Sequence, residues 1–389
     1  MSSESKGTLR RRTVLKLAGA AAGTALLARA SRAAQASPDE APAGDQVRAL
    51  AHTRLAREFE LRVPLVSAGM AFVALADLTA AVSNAGALGV YGVGGEPPPV
   101  FAARLQAIHD QTSAPFGVDF LLATSSMGPF TTQDHIDIAA AARVRLVVFH
   151  WDVPTAAWVA QLHAAGSKVW VQTGDVHVAL QAVANGADGI VAQGRSAGGH
   201  NRNATIETLD VVRRMRHALP PRIFVVASGG IADGASLVRA IRAGADGGWA
   251  GTVFVAATES YAHADYKARL ARARGEATQL TTVFGPEWPG QPQRVLRNRA
   301  TTEAPTTQPE TIGQTTLFPG VLDVPYTMPK YSAIVPTRDT TGDLDQMDMP
   351  AGATSIRAIR RVRPAAEIVD DFVREARAAE LDGSPPGRE

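Results

Sequence analysis

The chain of 389 residues has no cysteine, so no disulfide braces it and no thiolate metal site exists. It has no apolar run long enough to cross a bilayer, which takes about 20 residues. The longest candidate, Leu17 to Ala28, falls short. Beyond the first 36 residues there is no Lys/Arg cluster of the kind that marks a nucleic-acid binder. No Gly-x-Gly-x-x-Gly turn follows the first strand pattern, which argues against a dinucleotide-binding open sheet.

The N-terminus carries Arg10-Arg11-Arg12-Thr13-Val14-Leu15-Lys16, a twin-arginine pattern, then the short apolar run and small residues ending at Ala34-Gln35-Ala36. Residues 1–36 therefore read as a twin-arginine export signal, with the twin-arginine machinery as partner and an exported, periplasmic or secreted destination. An uncleaved membrane anchor is the other reading. Removing the signal takes away seven Lys/Arg and one Glu, turning a formal charge of +2 into −4. Residues 37–52 read as a linker.

From residue 53 to 260 one unit recurs: an apolar-striped helix, a glycine, a short β-rich strand, then a polar or glycine-rich exit. Asn185-Gly-Ala-Asp-Gly189 and Ala243-Gly-Ala-Asp-Gly247 are its clearest copies. Glycine after a helix suits the left-handed stop. Eight strands are expected: 63–67, 88–91, 117–121, 146–150, 169–172, 189–192, 223–227 and 247–250. Helical stripes such as Leu75/Leu78/Val82, Val176/Leu180/Val183 and Val212/Met215/Leu219 separate them. Continuous apolar strands suit a parallel sheet covered by helices. The fold class is α/β, a (β/α)8 TIM barrel, with an open doubly wound sheet as the alternative. Residues 261–389 form an extension whose last helix, starting at Pro364, packs back on the barrel. Within it Arg299 to Thr316 reads as a loop or lid.

Barrel active sites sit at the C-terminal ends of the strands. The glycine-rich exits Ser228-Gly229-Gly230 and Gly251-Thr252, after strands seven and eight, suit a phosphate held by backbone N–H groups near helix N-termini. Strand six runs into Gln193-Gly194-Arg195-Ser196-Ala197-Gly198-Gly199-His200. This loop brings an amide, bare backbone and an imidazole to one place.

Pro64-Leu65-Val66-Ser67-Ala68-Gly69-Met70, Gly117-Val118-Asp119, Gln193-Gly194 with Ala197-Gly198-Gly199-His200, Ser228-Gly229-Gly230-Ile231-Ala232-Asp233-Gly234 and Gly251-Thr252 with Thr258-Glu259-Ser260 resemble the nitronate monooxygenase family. The likeness runs from about Val63 to Ala379. It implies an FMN-dependent barrel without a metal. By resemblance, Ala68, Gly69 and Met70 lie against the flavin, Asp119 and Gln193 reach its polar edge, and Gly198 and Gly199 pass close to it. Ser228, Gly229, Gly230, Gly251 and Thr252 would hold its phosphate. Two departures stand out: the family usually has Asn at Asp119 and Glu at Ser196. A carboxylate beside reduced flavin would disfavour reduction unless protonated.

The implied activity is oxidation of a small-molecule substrate, an alkyl nitronate or nitroalkane, with oxygen, giving a carbonyl compound and nitrite. His200 or His150 is the candidate base, with a pKa suited to neutral pH. Two other readings stay open. One is an FMN-dependent NAD(P)H reductase of quinones or enoyl thioesters, because enoyl-acyl-carrier-protein reductases have a similar Gly-Gly-His. The other is a flavin-binding barrel without catalysis. A homo-oligomer is compatible with all three.

Overall fold

The recurring unit closes on itself in the computed structural model of the protein, which describes residues 50, 53–125, 128–202, 204–304, 306, 308 and 310–381. The export signal expected in residues 1–36, and the linker apart from Leu50, lie outside the described residues. The barrel strands are β1 (Leu65–Ser67), β2 (Gly89–Val93), β3 (Phe116–Leu121), β4 (Leu146–His150), β5 (Lys168–Thr173), β6 (Gly189–Gln193), β7 (Phe224–Ser228) and β8 (Gly247–Ala250). Neighbours pair in parallel around the ring, which closes where Val66 bridges Leu88 and the Ser67 N–H donates to the Leu88 carbonyl at 2.9 Å. That closure excludes the doubly wound sheet, which would leave β1 and β2 as edges.

The repeated Gly-Ala-Asp-Gly motif has a structural reason. Asp188 precedes β6 and accepts the Val169 N–H of β5 at 2.8 Å; Asp246 precedes β8 and accepts the Val225 N–H of β7, also at 2.8 Å. Each aspartate thus fixes the register of its strand against the neighbour. Asp246 is itself paired with Arg54 and Arg216. The glycines before these aspartates, Gly186 and Gly244, have φ of +103° and +107°, the left-handed conformation that ends the preceding helix.

Seven helices follow the first seven strands: α1 (Ala76–Asn84), α2 (Pro98–His109), α3 (Gln133–Ala141), α4 (Ala156–Ala164), α5 (Val176–Ala184), α6 (Thr208–Ala218) and α7 (Gly234–Arg242). The stripe read for α5 is corrected. Leu180 is 44% exposed, and α5 buries Ala179 and Ala182 instead. Val176 and Val183 of the stripe pack against the core, and Leu180 alone points away from it. The barrel floor is plugged by Leu55 and Phe59, from a short helix and its cap, against Val66, Val148, Trp170 and Phe224.

The extension supplies the eighth outer helix and a roof. Helix α8 (Ala264–Arg272) follows the barrel, and α9 (Ala365–Leu381) packs on both α7 and α1. Glu259 accepts the Ala365 N–H at 3.0 Å, so the Thr-Glu-Ser motif caps the returning helix. Between them lie β9 (Thr278–Thr281), β10 (Gln293–Leu296), β11 (Thr311–Leu317) and β12 (Val324–Pro329). β10 pairs antiparallel with both β9 and the two-residue strand Gly199–His200. The stretch read as a loop or lid is therefore partly strand, since β11 pairs with β12 over most of its length. Among the described residues no helix is long and apolar enough to cross a membrane.

Candidate active site

The strand ends and the roof enclose a cavity of about 310 Å³. That is within the range of small-molecule and cofactor pockets. All fourteen candidate residues border it. Ala68, Gly69 and Met70 leave β1. Asp119 lies in β3, His150 ends β4 and Gln193 ends β6. Gly198, Gly199 and His200 form the following loop. Ser228 ends β7 and leads to Gly229 and Gly230, and Gly251 and Thr252 follow β8. Among the described residues no Lys or Arg borders the cavity.

Glycine is required at several of these places. A Cβ on Gly69 would lie 2.3 Å from the Asp119 Cβ, so bare backbone lets β1 and β3 approach beneath the cavity. Gly229 and Gly230 have φ of +109° and +77°. Their N–H groups make no hydrogen bond among the described residues. Thr252 and Val253 head a single helical turn, where N–H groups have no intrahelical acceptor. This corner presents free donors, as an anion site requires. Helix α7 adds little to this corner. Its first donors are taken: Glu375 accepts the Gly234 N–H at 3.1 Å and Asp233 accepts the Ser236 N–H at 2.7 Å. A strap, residues 350–355, closes the corner. Its Gly352 N–H donates to the Thr252 hydroxyl at 3.0 Å and its Ala353 N–H to the Ser196 carbonyl at 2.9 Å.

Gln193 donates from Nε2 to the His200 carbonyl at 3.1 Å and so holds the loop's far end. The His200 ring lies 4.7 Å from Trp288 and 6.0 Å from Trp151, centroid to centroid, and its Nε2 has no partner. Burial lowers the His200 pKa to about 3, with the neighbouring His150 adding to the shift, and lowers that of His150 to about 4. The expected near-neutral base is thus corrected. Both imidazoles are uncharged at neutral pH because the roof takes them out of water. Burial raises the Asp119 carboxyl well above its usual range, and its Oδ1 is unpartnered. Burial therefore favours the neutral acid form of Asp119 at the cavity floor. This resolves the difficulty that its charge would pose.

Sequence reasoning passed over the roof: Trp288, Gln293, Phe318 and Asp348 all border the cavity. Nothing local marks them, since they lie 80 or more residues beyond the His200 loop they cover. Gln172, at the end of β5, was visible as a strand exit and brings another unpartnered buried oxygen to the cavity.

The nitronate monooxygenase family model matches residues 52–375. The chain belongs to the nitronate monooxygenase family. A nitronate monooxygenase of Pseudomonas aeruginosa is 30% identical over 367 residues, covering 83% of this chain and 99% of its own. Among solved structures, the nitroalkane oxidase of Streptomyces ansochromogenes matches at a TM-score of 0.68 and 26% identity, over 85% of this chain and 99% of that one. FabK of Thermotoga maritima matches at 0.69 and 26%, over 85% and 98%. Membership makes the chain a flavin-dependent oxidoreductase. The cavity fits such a group. Unpartnered buried atoms of Asp119 and Gln172 converge on one space, as a heteroaromatic ring with donors and acceptors requires, beside a corner of free N–H groups.

Proposed function

We propose that the protein oxidises alkyl nitronates and nitroalkanes with oxygen, using FMN, and releases a carbonyl compound and nitrite. The observation that carries this reading is the neutral, unpartnered His200 at a cavity lined by family motifs. FMN, when bound, supplies the redox chemistry between substrate and oxygen. Gly229, Gly230, Gly251 and Thr252, with Ser228, would hold its phosphate. Ala68, Gly69 and Met70 would bear on its ring, with Gly198 and Gly199 close by. Asp119, kept protonated by burial, would donate a hydrogen bond to the polar edge that Gln193 also faces.

His200 takes the proton from the carbon bearing the nitro group, with His150 as the rival base. A neutral imidazole can accept that proton without first losing one. The weakness of a buried base is offset once a nitronate anion forms beside it, because an adjacent negative charge raises an imidazole pKa. Trp288 and Phe318 exclude water from the reacting centre. Incubation of the yellow protein with propyl-2-nitronate in air tests the reading. Acetone and nitrite are expected in equal amounts, and no nitrite release would contradict it.

The likeness to FabK supports a second reading, an NAD(P)H-dependent reductase of the same fold. Export through the twin-arginine route, where NAD(P)H is scarce, favours the oxidation. That destination is part of the same proposal.

A further inference from the structure

The roof carries two buried polar side chains that this chemistry does not use. Gln293 in β10 is 0% exposed, and neither its Oε1 nor its Nε2 has a partner. Asp348 is 1% exposed, and both of its carboxyl oxygens are unpartnered. Both side chains border the cavity. The antiparallel register sets Gln293 directly opposite His200, so the two side chains leave the ribbon on the same face. Of their polar neighbours, His200 keeps an unpartnered Nε2, while Tyr266 and Glu287 are satisfied. The Tyr266 hydroxyl donates to the Pro350 carbonyl, and Glu287 accepts from the Tyr326 and Ser332 hydroxyls and the Ala333 N–H. The two lie within reach of each other yet make no close hydrogen bond, and buried polar groups left so are costly; their spare donors and acceptors on one cavity wall point to a ligand that pairs them.

The atoms state what that ligand group must be. A primary amide donates and accepts. Burial holds the Asp348 carboxyl well above its usual range; the Gln293 amide, near enough to donate toward that carboxyl, opposes the shift, and the Glu287 charge adds to it. A protonated carboxyl also donates and accepts. A carboxylate on the ligand would meet Glu287 and Asp348 and, among the described residues, no Lys or Arg on this cavity wall. An ammonium, having no acceptor, would leave the Gln293 N–H groups unpaired. A hydroxyl matches both residues.

We propose that Gln293 and Asp348 form a substrate-recognition subsite that takes an uncharged hydroxyl at the end of the substrate remote from the nitro carbon. This rests on the oxidation proposed above and names the nitro compounds that the cavity prefers.

The test compares 3-nitropropan-1-ol with 1-nitrobutane, which has a methyl in place of the hydroxyl. Binding of each neutral compound is measured anaerobically by calorimetry on the protein with its flavin reduced beforehand by dithionite, so no electron transfer to the flavin accompanies binding. The hydroxylated compound should bind about ten- to a hundredfold more tightly. Gln293→Met and Asp348→Leu should each reduce that ratio to within about twofold of unity, and Asp348→Asn should restore it, because an amide also donates and accepts. Equal affinities in the wild type would overturn the subsite. So would a ratio unchanged in both variants, or a ratio that survives while flavin is lost, which would assign the pair to the cofactor. A tenfold preference in a protein that releases no nitrite from nitronates would sink the oxidation and leave the subsite standing.

Discussion

His200 was legible as a residue and not as an acid–base group. The Gly-Gly-His loop marks its position, but its environment is set by Trp288, 88 positions further on. The same holds for Asp119, whose charge state follows from burial alone. Two predictions belong at this scale. General-base catalysis contributes roughly a hundred- to ten-thousand-fold. His200→Ala should keep its flavin and lose kcat/KM for a neutral nitroalkane by about that factor, with a smaller loss for preformed nitronate, whose proton is already gone. The same assays on His150→Ala test the rival, and wild-type turnover by both variants would refute a histidine base. The pH profile follows from the direction of the shift. An imidazole whose pKa is lowered from 6.5 to about 3 keeps its base form as pH falls through the usual histidine range. The acid limb of kcat/KM should therefore lie near or below pH 4, and a limb centred near 6.5 would contradict the burial argument.

At the level of elements, the strands were readable because most are short apolar runs, as in Leu146-Val-Val-Phe and Gly189-Ile-Val-Ala, set between helical stripes. Helix α5 misled in part, because Ala179 and Ala182 bury its centre beside Val176 and Val183 while Leu180 lies exposed. β11, with the sequence Thr-Ile-Gly-Gln-Thr-Thr-Leu, has too little apolar character to announce itself beside β12. The docking of α9 was legible from its apolar face. Its closeness to α7 was not, since that depends on Gly234. A Cβ there would lie 2.1 Å from the Ala376 nitrogen and 2.6 Å from the Phe372 carbonyl oxygen, both backbone atoms that cannot yield singly. Gly234→Val should force the helices apart and lower unfolding free energy by about 1–3 kcal/mol, measured by denaturant titration. A change under about 0.5 kcal/mol would show that α9 does not brace the barrel.

For the whole molecule, closure into a barrel and the placement of fourteen site residues on one cavity were legible because a parallel barrel sends every strand exit to one face. The roof was not, because it arises from long-range pairing between β10 and the Gly199–His200 strand. Export is argued from the twin arginines: the double variant Arg11→Lys, Arg12→Lys should leave precursor in the cytoplasm on fractionation, and normal export would refute the signal. The central claim is that a flavin in this cavity takes electrons from a nitronate. It is tested most directly by mixing the flavin-loaded protein anaerobically with propyl-2-nitronate or with NADPH and following the visible flavin absorbance. The nitronate should change the flavin spectrum within seconds and NADPH should leave it unaltered; bleaching by NADPH with no response to nitronate would contradict the account.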